Sequence, residues 1–120
     1  MEVEELAKIS ENICDCLASG DYSGISNKYC YALSFDRSSN DALKEDFELA
    51  LKGCNSSLSK LGRVEVVVSS FKENNIGLVF LAECSFPASD RSGIYVEVVL
   101  NSKGTVYVEQ ISAYSTVKNA

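Results

Sequence analysis

The periodicity of the apolar residues changes from helical to alternating near Arg63, and this change restricts the possible folds more than any other feature. Before that point, apolar residues recur at steps of three and four and predict two long helices, with a short helix or an irregular segment over 25–33 between them. After it, four runs rich in β-branched and aromatic residues predict strands. Helices first and strands afterwards predict an α+β fold.

Each predicted long helix carries one apolar face. The first is predicted to end at Gly20, and the second to begin among Ser38, Ser39, Asn40 and Asp41 and to end at Gly62. The apolar positions of the first helix are Val3, Leu6, Ile9, Ile13 and Leu17, and those of the second are Leu43, Phe47, Ala50, Leu51, Cys54, Leu58 and Leu61.

The four predicted strands cover 63–71, 77–86, 94–100 and 105–113, and short breaks separate them. Short breaks imply hairpins, so the chain is predicted to form a four-stranded antiparallel meander in the order 1-2-3-4. One face of this sheet is nearly all apolar, and we expect the two long helices, plus any short one, to pack on it. Residues 1–120 are predicted to be a single domain.

Each predicted strand also carries one glutamate on the face that the helices leave open. Three-residue hairpin loops place Glu97 opposite Glu109, and Glu65 opposite Glu83. The longer loop around Pro87 allows Glu83 to face Glu97, which predicts a row of four carboxylates. Like charges directly opposite each other destabilise a sheet. A row therefore suggests a basic partner that neutralises it, whereas a two-residue turn at 74–75 would break the row and leave a solvated sheet face.

A neighbouring row on the same open face is apolar and includes one tyrosine, Tyr107, which we regard as a candidate aromatic anchor. Apolar area beside concentrated charge is typical of an interaction site. The candidate binding residues are therefore Glu65, Glu83, Glu97, Glu109, Tyr107, Val99 and Leu81.

The chain has a net charge of −6, which indicates what kind of partner it attracts. Nucleic acid would be repelled, whereas a basic protein would be steered toward the chain. No apolar run approaches the length of a membrane span, and the acidic N-terminal segment does not resemble a secretory signal. We therefore predict a cytoplasmic protein with no nucleic-acid or membrane partner. Its five cysteines, an odd number, are expected to be reduced.

The chain contains no histidine, which removes histidine-based acid–base catalysis, Ser–His and Cys–His nucleophile pairs, and most zinc and iron sites. No phosphate-binding loop is present. We predict no catalytic residue, no metal site and no cofactor, and hence no enzyme. The alternative is a carboxylate–phenol site made by Asp36 with Tyr22, Tyr29 or Tyr31.

The order of elements resembles that of the nuclear-transport-factor-two-like superfamily, the cystatin-like α+β cone. The resemblance covers nearly the whole chain: a helix ending in ASGDYSGI, a polar break, the helix DALKEDFELALKGCNSSLSKLG and long antiparallel strands, the last pair joined by LNSKGTV. Enzymes of that superfamily often use Asp, His and Tyr inside the cone, but no residue here matches a motif position. The resemblance therefore implies a fold and leaves the activity open.

Three functions are compatible with this sequence. The first is a non-catalytic protein-binding module, of the kind represented by immunity proteins that neutralise a basic toxin or nuclease domain by covering its site. The second is a cone whose interior holds a small apolar ligand or substrate. The third is a homodimer that forms through the open sheet face. The interior pocket of the second would be lined by Tyr22, Tyr29, Phe35, Phe80 and Tyr95.

Overall fold

The structure is a computed structural model that describes residues 1–54, 61–72, 75–89 and 92–115. These residues form an α+β fold, as predicted, with three helices and one five-stranded sheet. The elements are α1 (Val3–Ser19), α2 (Tyr22–Ser26), β1 (Cys30–Tyr31), α3 (Ser39–Gly53), β2 (Glu65–Ser70), β3 (Leu78–Ser89), β4 (Ser92–Asn101) and β5 (Val106–Ser115).

The sheet has the strand order β1-β5-β4-β3-β2, and β2 to β5 form the predicted antiparallel meander. The prediction of four strands, all antiparallel, is wrong at one edge, where β1 pairs with β5 in parallel. Cys30 lies opposite Tyr107, and Tyr31 lies opposite Val108. A two-residue strand is too short to show the alternation by which strands are recognised in a sequence.

The helices pack on one face of the sheet, and the predicted apolar positions of the strands meet them there. Ala82, Cys84, Val96, Val98 and Val108 are completely buried in this layer. Within α1 and α3 the helical faces agree with the prediction except at the first position of α1, and the predicted positions Cys54 and Leu61 lie beyond the end of α3. Leu6, Ile13, Leu17, Leu43, Phe47, Ala50 and Leu51 are buried, and Val3 is exposed.

The ends of the helices follow the predicted capping signals in two of three cases. Gly20 adopts a left-handed conformation (φ 76°) and ends α1, and the hydroxyl of Ser38 accepts the N–H of Asp41 (3.1 Å) at the start of α3. Gly62 does not end α3, which stops at Gly53. The N–H of Gly62 instead donates to the carbonyl of Pro87 (2.6 Å), so this glycine permits a close crossing of two segments. The predicted helical position Leu58 lies outside the described residues.

All five cysteines are free, and Cys14, Cys54 and Cys84 are buried. Cys14 on α1 and Cys84 on β3 contact each other between the helical layer and the sheet. A hydrogen bond between the two thiols, together with burial, raises the pKa of Cys14, so it remains an uncharged thiol. These two cysteines act as small apolar residues of the core.

Replacing Leu51 with alanine is expected to lower the free energy of unfolding by about 2–5 kcal/mol, because Leu51 lies on the buried stripe of α3. The same replacement at the next position, Lys52, removes an exposed side chain and should change stability by less than about 0.5 kcal/mol. Urea denaturation midpoints of the two variants test this. Equal losses would show that the buried face of α3 is assigned incorrectly.

Candidate interaction surface on the open sheet face

Two of the predicted glutamates meet at the centre of the open face, where Glu83 lies directly opposite Glu97. Tyr95 precedes Glu97 by two residues and so projects from the same face of β4. Its hydroxyl lies 2.8 Å from Oε2 of Glu83 and 2.9 Å from Oε2 of Glu97. The pairing of Glu83 with Glu97 was predicted from the loop around Pro87, and the structure confirms it.

This arrangement gives the two carboxylates fewer hydrogen-bond donors than they can use. A tyrosine hydroxyl carries one proton, and both carboxylates can only accept while they are ionised. Burial and the hydrogen bonds to Glu83 and Glu97 raise the pKa of Tyr95, so the hydroxyl stays protonated at neutral pH. In the described parts of the chain, no lysine or arginine forms an ion pair with either glutamate.

The predicted pairing of Glu65 with Glu83 is wrong, because Glu65 lies opposite Ser85 and Val67 lies opposite Glu83. The hairpin between β2 and β3 is longer than the predicted three-residue loop. A hydrogen bond from the N–H of Phe71 to the carbonyl of Val79 (2.9 Å) continues the pairing beyond Ser70. A longer connection shifts the register of the whole strand. Glu65 therefore lies two residues along β2 from Val67, which takes the position opposite Glu83.

The predicted pairing of Glu97 with Glu109 is also wrong, although the turn that suggested it forms as expected. Gly104 is left-handed (φ 79°), and Val98 lies opposite Val108. A β-bulge then shifts the register, so Glu97 lies opposite Gln110 and Glu109 is the extra residue. The four glutamates therefore do not form the predicted row.

The bulge nevertheless brings Glu109 beside Glu97 at a groove of about 380 Å³ on the open face. Its floor includes three of the predicted binding residues, which are aligned across the sheet, with Leu81 opposite Val99 and Val99 opposite Tyr107. The remaining wall comes from Phe71 and Ile76, between β2 and β3, and from Leu78 at the start of β3. The groove is lined by Phe71, Ile76, Leu78, Leu81, Glu97, Val99, Tyr107 and Glu109.

Tyr107 stands next to the carboxylates in this groove and is half-buried. Burial and the negative charge of Glu109 raise the pKa of its phenol, so Tyr107 remains neutral and presents an uncharged aromatic ring. Val99, which lies opposite Tyr107 on β4, is only 2% exposed. The groove thus combines an apolar floor, one aromatic ring and two carboxylates.

Of the predicted binding residues, the structure places Leu81, Glu97, Val99, Tyr107 and Glu109 in the groove and Glu83 beside it; Glu65 alone stands apart. Sequence reasoning assigned Tyr95 to the interior pocket, although its spacing of two from Glu97 indicates that both residues lie on the open face. It missed Phe71, Ile76 and Leu78, which lie at or near a hairpin loop, where alternation gives no signal.

The alternative interior pocket does not form from the residues assigned to it. Tyr95 lies on the open face, and Phe35 is 81% exposed. Tyr22 packs in the helical layer, with its ring centroid 6.5 Å from that of Phe47. Tyr22, Phe35 and Tyr95 are therefore directed to different parts of the molecule.

In the alternative carboxylate–phenol site, the structure pairs Tyr31 with a different carboxylate from the predicted one. The hydroxyl of Tyr31 donates a hydrogen bond to Asp46, whereas Asp36 is exposed. Arg37 also binds Asp46 through Nη1 (3.0 Å) and donates to the carbonyl of Leu33 (2.7 Å). Burial alone would raise the pKa of Asp46, but the hydrogen bonds from Arg37 and Tyr31 outweigh it and hold that pKa below its usual value. This network fastens the loop after β1 to α3.

Within the described ranges, no group of three or more histidine, cysteine or acidic residues is placed to hold a metal ion. Among the helices of the same ranges, none has the length and apolar character needed to cross a membrane. Comparison with protein-family models, curated proteins and solved structures yields no match. The groove on the open face is therefore interpreted from its own chemistry.

Replacing Tyr95 with phenylalanine is expected to remove one of the tyrosines that ionise late in an alkaline titration of the chain. Its folded pKa is raised above the usual value of about 10, so Tyr95 stabilises the fold below pH 10 and loses this contribution as the pH rises through the folded pKa. Alkaline titration followed by tyrosinate absorbance, wild type minus variant, isolates this residue. A midpoint at or below about pH 10 would contradict the hydrogen bonding to Glu83 and Glu97.

Proposed function

We propose that the protein is a non-catalytic binding module that captures a basic protein through the groove of the open sheet face. The observation that supports this most directly is the placement of Glu97 and Glu109 together at an apolar groove. No described cation pairs with either of them. Clustered carboxylates repel each other in the free protein, and a cation supplied by a partner removes that repulsion.

An arginine or lysine side chain of the partner suits this groove in both of its parts. The aliphatic stem lies along the apolar floor formed by Leu81 and Val99, and the charged group reaches Glu97 and Glu109. Arginine is favoured over lysine, because a guanidinium can bind carboxylates with two hydrogen bonds and also stack on the ring of Tyr107. Glu83 lies one position further along and extends the acidic surface.

The biological role that fits such a surface is inhibition, in the manner of an immunity protein. A nuclease or toxin domain uses basic groups to hold phosphate, and a surface of carboxylates occupies those groups in place of the substrate. The net charge of −6 accelerates the encounter with a basic protein. A cytoplasmic location and the nuclear-transport-factor-two-like cone are parts of the same proposal.

Selection from a displayed library of short random peptides tests the chemistry of the groove. The immobilised wild type is expected to enrich peptides rich in arginine and lysine. The double variant Glu97→Gln, Glu109→Gln should lose this enrichment. A matched control, Glu2→Gln with Glu4→Gln, makes the same change in net charge at exposed positions at the start of the chain and should select as the wild type does.

Two results of this selection would refute the proposed function. One is enrichment of peptides without basic residues by the wild type. The other is equal enrichment of basic peptides by the groove variant and the control, which would show that attraction depends only on the overall charge of the chain.

A further inference from the structure

Among the described residues, the outer edge of β2 has backbone groups that pair with no other strand. β2 is the last strand of the sheet, and no described residue pairs with it on the side away from β3. The bond from the N–H of Phe71 to Val79 shows which residues bond toward β3, because bonded pairs alternate along an antiparallel ladder. It follows that Val66, Val68 and Ser70 direct their N–H and C=O groups outward.

This edge lacks most of the features by which proteins prevent strands from associating. Within β2 there is no proline and no lysine, and its register with β3 is continuous, without a bulge. Three valines follow one another at its centre, and Val67 is 63% exposed on the open face. The only charged side chain of the strand is Glu65, at its beginning. An exposed apolar edge of this kind pairs readily with another strand.

We propose that the occupant of this edge is a second copy of the chain, paired antiparallel through β2 about a twofold axis at Val67. In this register Val66 lies opposite Val68 of the other copy, and both residues direct their backbone groups outward, so the two exchange hydrogen bonds. Val67 then lies opposite its own symmetry mate in a non-bonded pair, where side chains approach most closely. The backbone pattern and the apolar side chains thus favour the same register.

The charge pattern of the strand also favours this register. It places Glu65 opposite Ser69 of the second copy, so the carboxylates of the two strands stay apart. A parallel, in-register pairing would instead bring the two Glu65 side chains together. An axis perpendicular to the sheet keeps both open faces on one side, so the two five-stranded sheets become continuous.

This association is independent of the proposed binding of a basic partner and has the opposite salt dependence. Both copies carry a net charge of −6, so added salt screens their repulsion and should strengthen the dimer. Binding of a basic partner at the groove should weaken under the same conditions.

Sedimentation velocity across a dilution series tests the proposal, first with the wild type and then with two charge variants. The wild type is expected to dissociate on dilution from a dimer to a monomer. Val67→Lys and Val67→Glu should each be monomeric at concentrations where the wild type is a dimer, because like charges meet at the axis. Mixing the two variants should restore the dimer, since a lysine then faces a glutamate.

Two further variants distinguish the edge from other surfaces. Ser70→Pro removes an outward N–H at an exposed position and should weaken the dimer, whereas Tyr107→Ala alters the open face and should leave it intact. Circular dichroism checks that each variant is folded. A wild type that is monomeric throughout, charge variants that fail to associate when mixed, or a dimer lost through Tyr107→Ala would each overturn the proposal. The first of these results does not depend on any variant folding.

Discussion

Replacing Phe47 with alanine is expected to lower the free energy of unfolding by about 3–5 kcal/mol, the largest effect of any single truncation proposed for this protein. Phe47 is completely buried, and its ring centroid lies 6.3 Å from that of Phe86 in an edge-to-face contact and 6.5 Å from that of Tyr22. It therefore connects α2, α3 and β3. Domains of this size are stable by only about 5–15 kcal/mol, so the loss approaches the whole stability of a marginal fold.

A control for this prediction lies on the same helix. Leu49 is two residues further along α3 and is 68% exposed, so Leu49→Ala should change stability by less than about 0.5 kcal/mol. Urea denaturation of both variants, followed by circular dichroism, gives the comparison. A loss at Phe47 no greater than that at Leu49 would mean that the aromatic contacts between the layers are not formed.

Reversing the charges at the groove is expected to weaken binding of a selected arginine-rich peptide by roughly 30-fold to several thousand-fold, the range that corresponds to the loss of a close charge pair. In the double variant Glu97→Lys, Glu109→Lys, two cations stand where the wild type presents carboxylates beside the apolar floor. Like charges then meet at the contact. Titration calorimetry with the wild type and the variant measures the ratio of the dissociation constants.

Kinetic measurements at two salt concentrations separate the roles of the residues in the groove. Removal of charge by Glu97→Gln should mainly slow association and reduce its salt dependence, whereas Tyr107→Ala should mainly speed dissociation, because the ring makes contact only after docking. The reversal Glu2→Lys with Glu4→Lys matches the change in net charge away from the groove. If the groove reversal binds as tightly as this control, the open face is a solvated surface without a specific role.

Much of the fold can be predicted from the spacing of apolar residues along the chain. The spacing of Leu6, Ile13 and Leu17 gives the buried face of α1, and the alternation through Val96 and Val98 separates the two faces of β4. Each pattern extends over many residues, so a single exception such as the exposed Val3 does not disturb it. The same alternation correctly predicts that Glu83, Glu97 and Tyr107 lie on the open face of the sheet.

The register between strands is harder to predict from the sequence, because it depends on connections whose length and shape are set by the whole structure. The turn at Gly104 forms as its sequence predicts, yet the bulge at Glu109 occurs five residues later without a glycine or proline to indicate it. The parallel pairing of Tyr31 with Val108 is likewise a tertiary contact with no local pattern. The bulge separates Glu109 from its predicted partner Glu97, and the local sequence indicates neither the bulge nor the parallel pairing.

The pairing of β1 with β5 has a consequence for how the chain folds. Tyr31 and Val108 come from opposite parts of the sequence, and β2 to β5, which supply most of the sheet beneath α1 and α3, follow both helices in the chain. During synthesis the helical layer therefore emerges with its apolar side uncovered and can be completed only after β5 has joined the sheet. Contacts between such distant segments slow folding, so we expect folding on the timescale of milliseconds to seconds, with closure of β1 onto β5 among its last events.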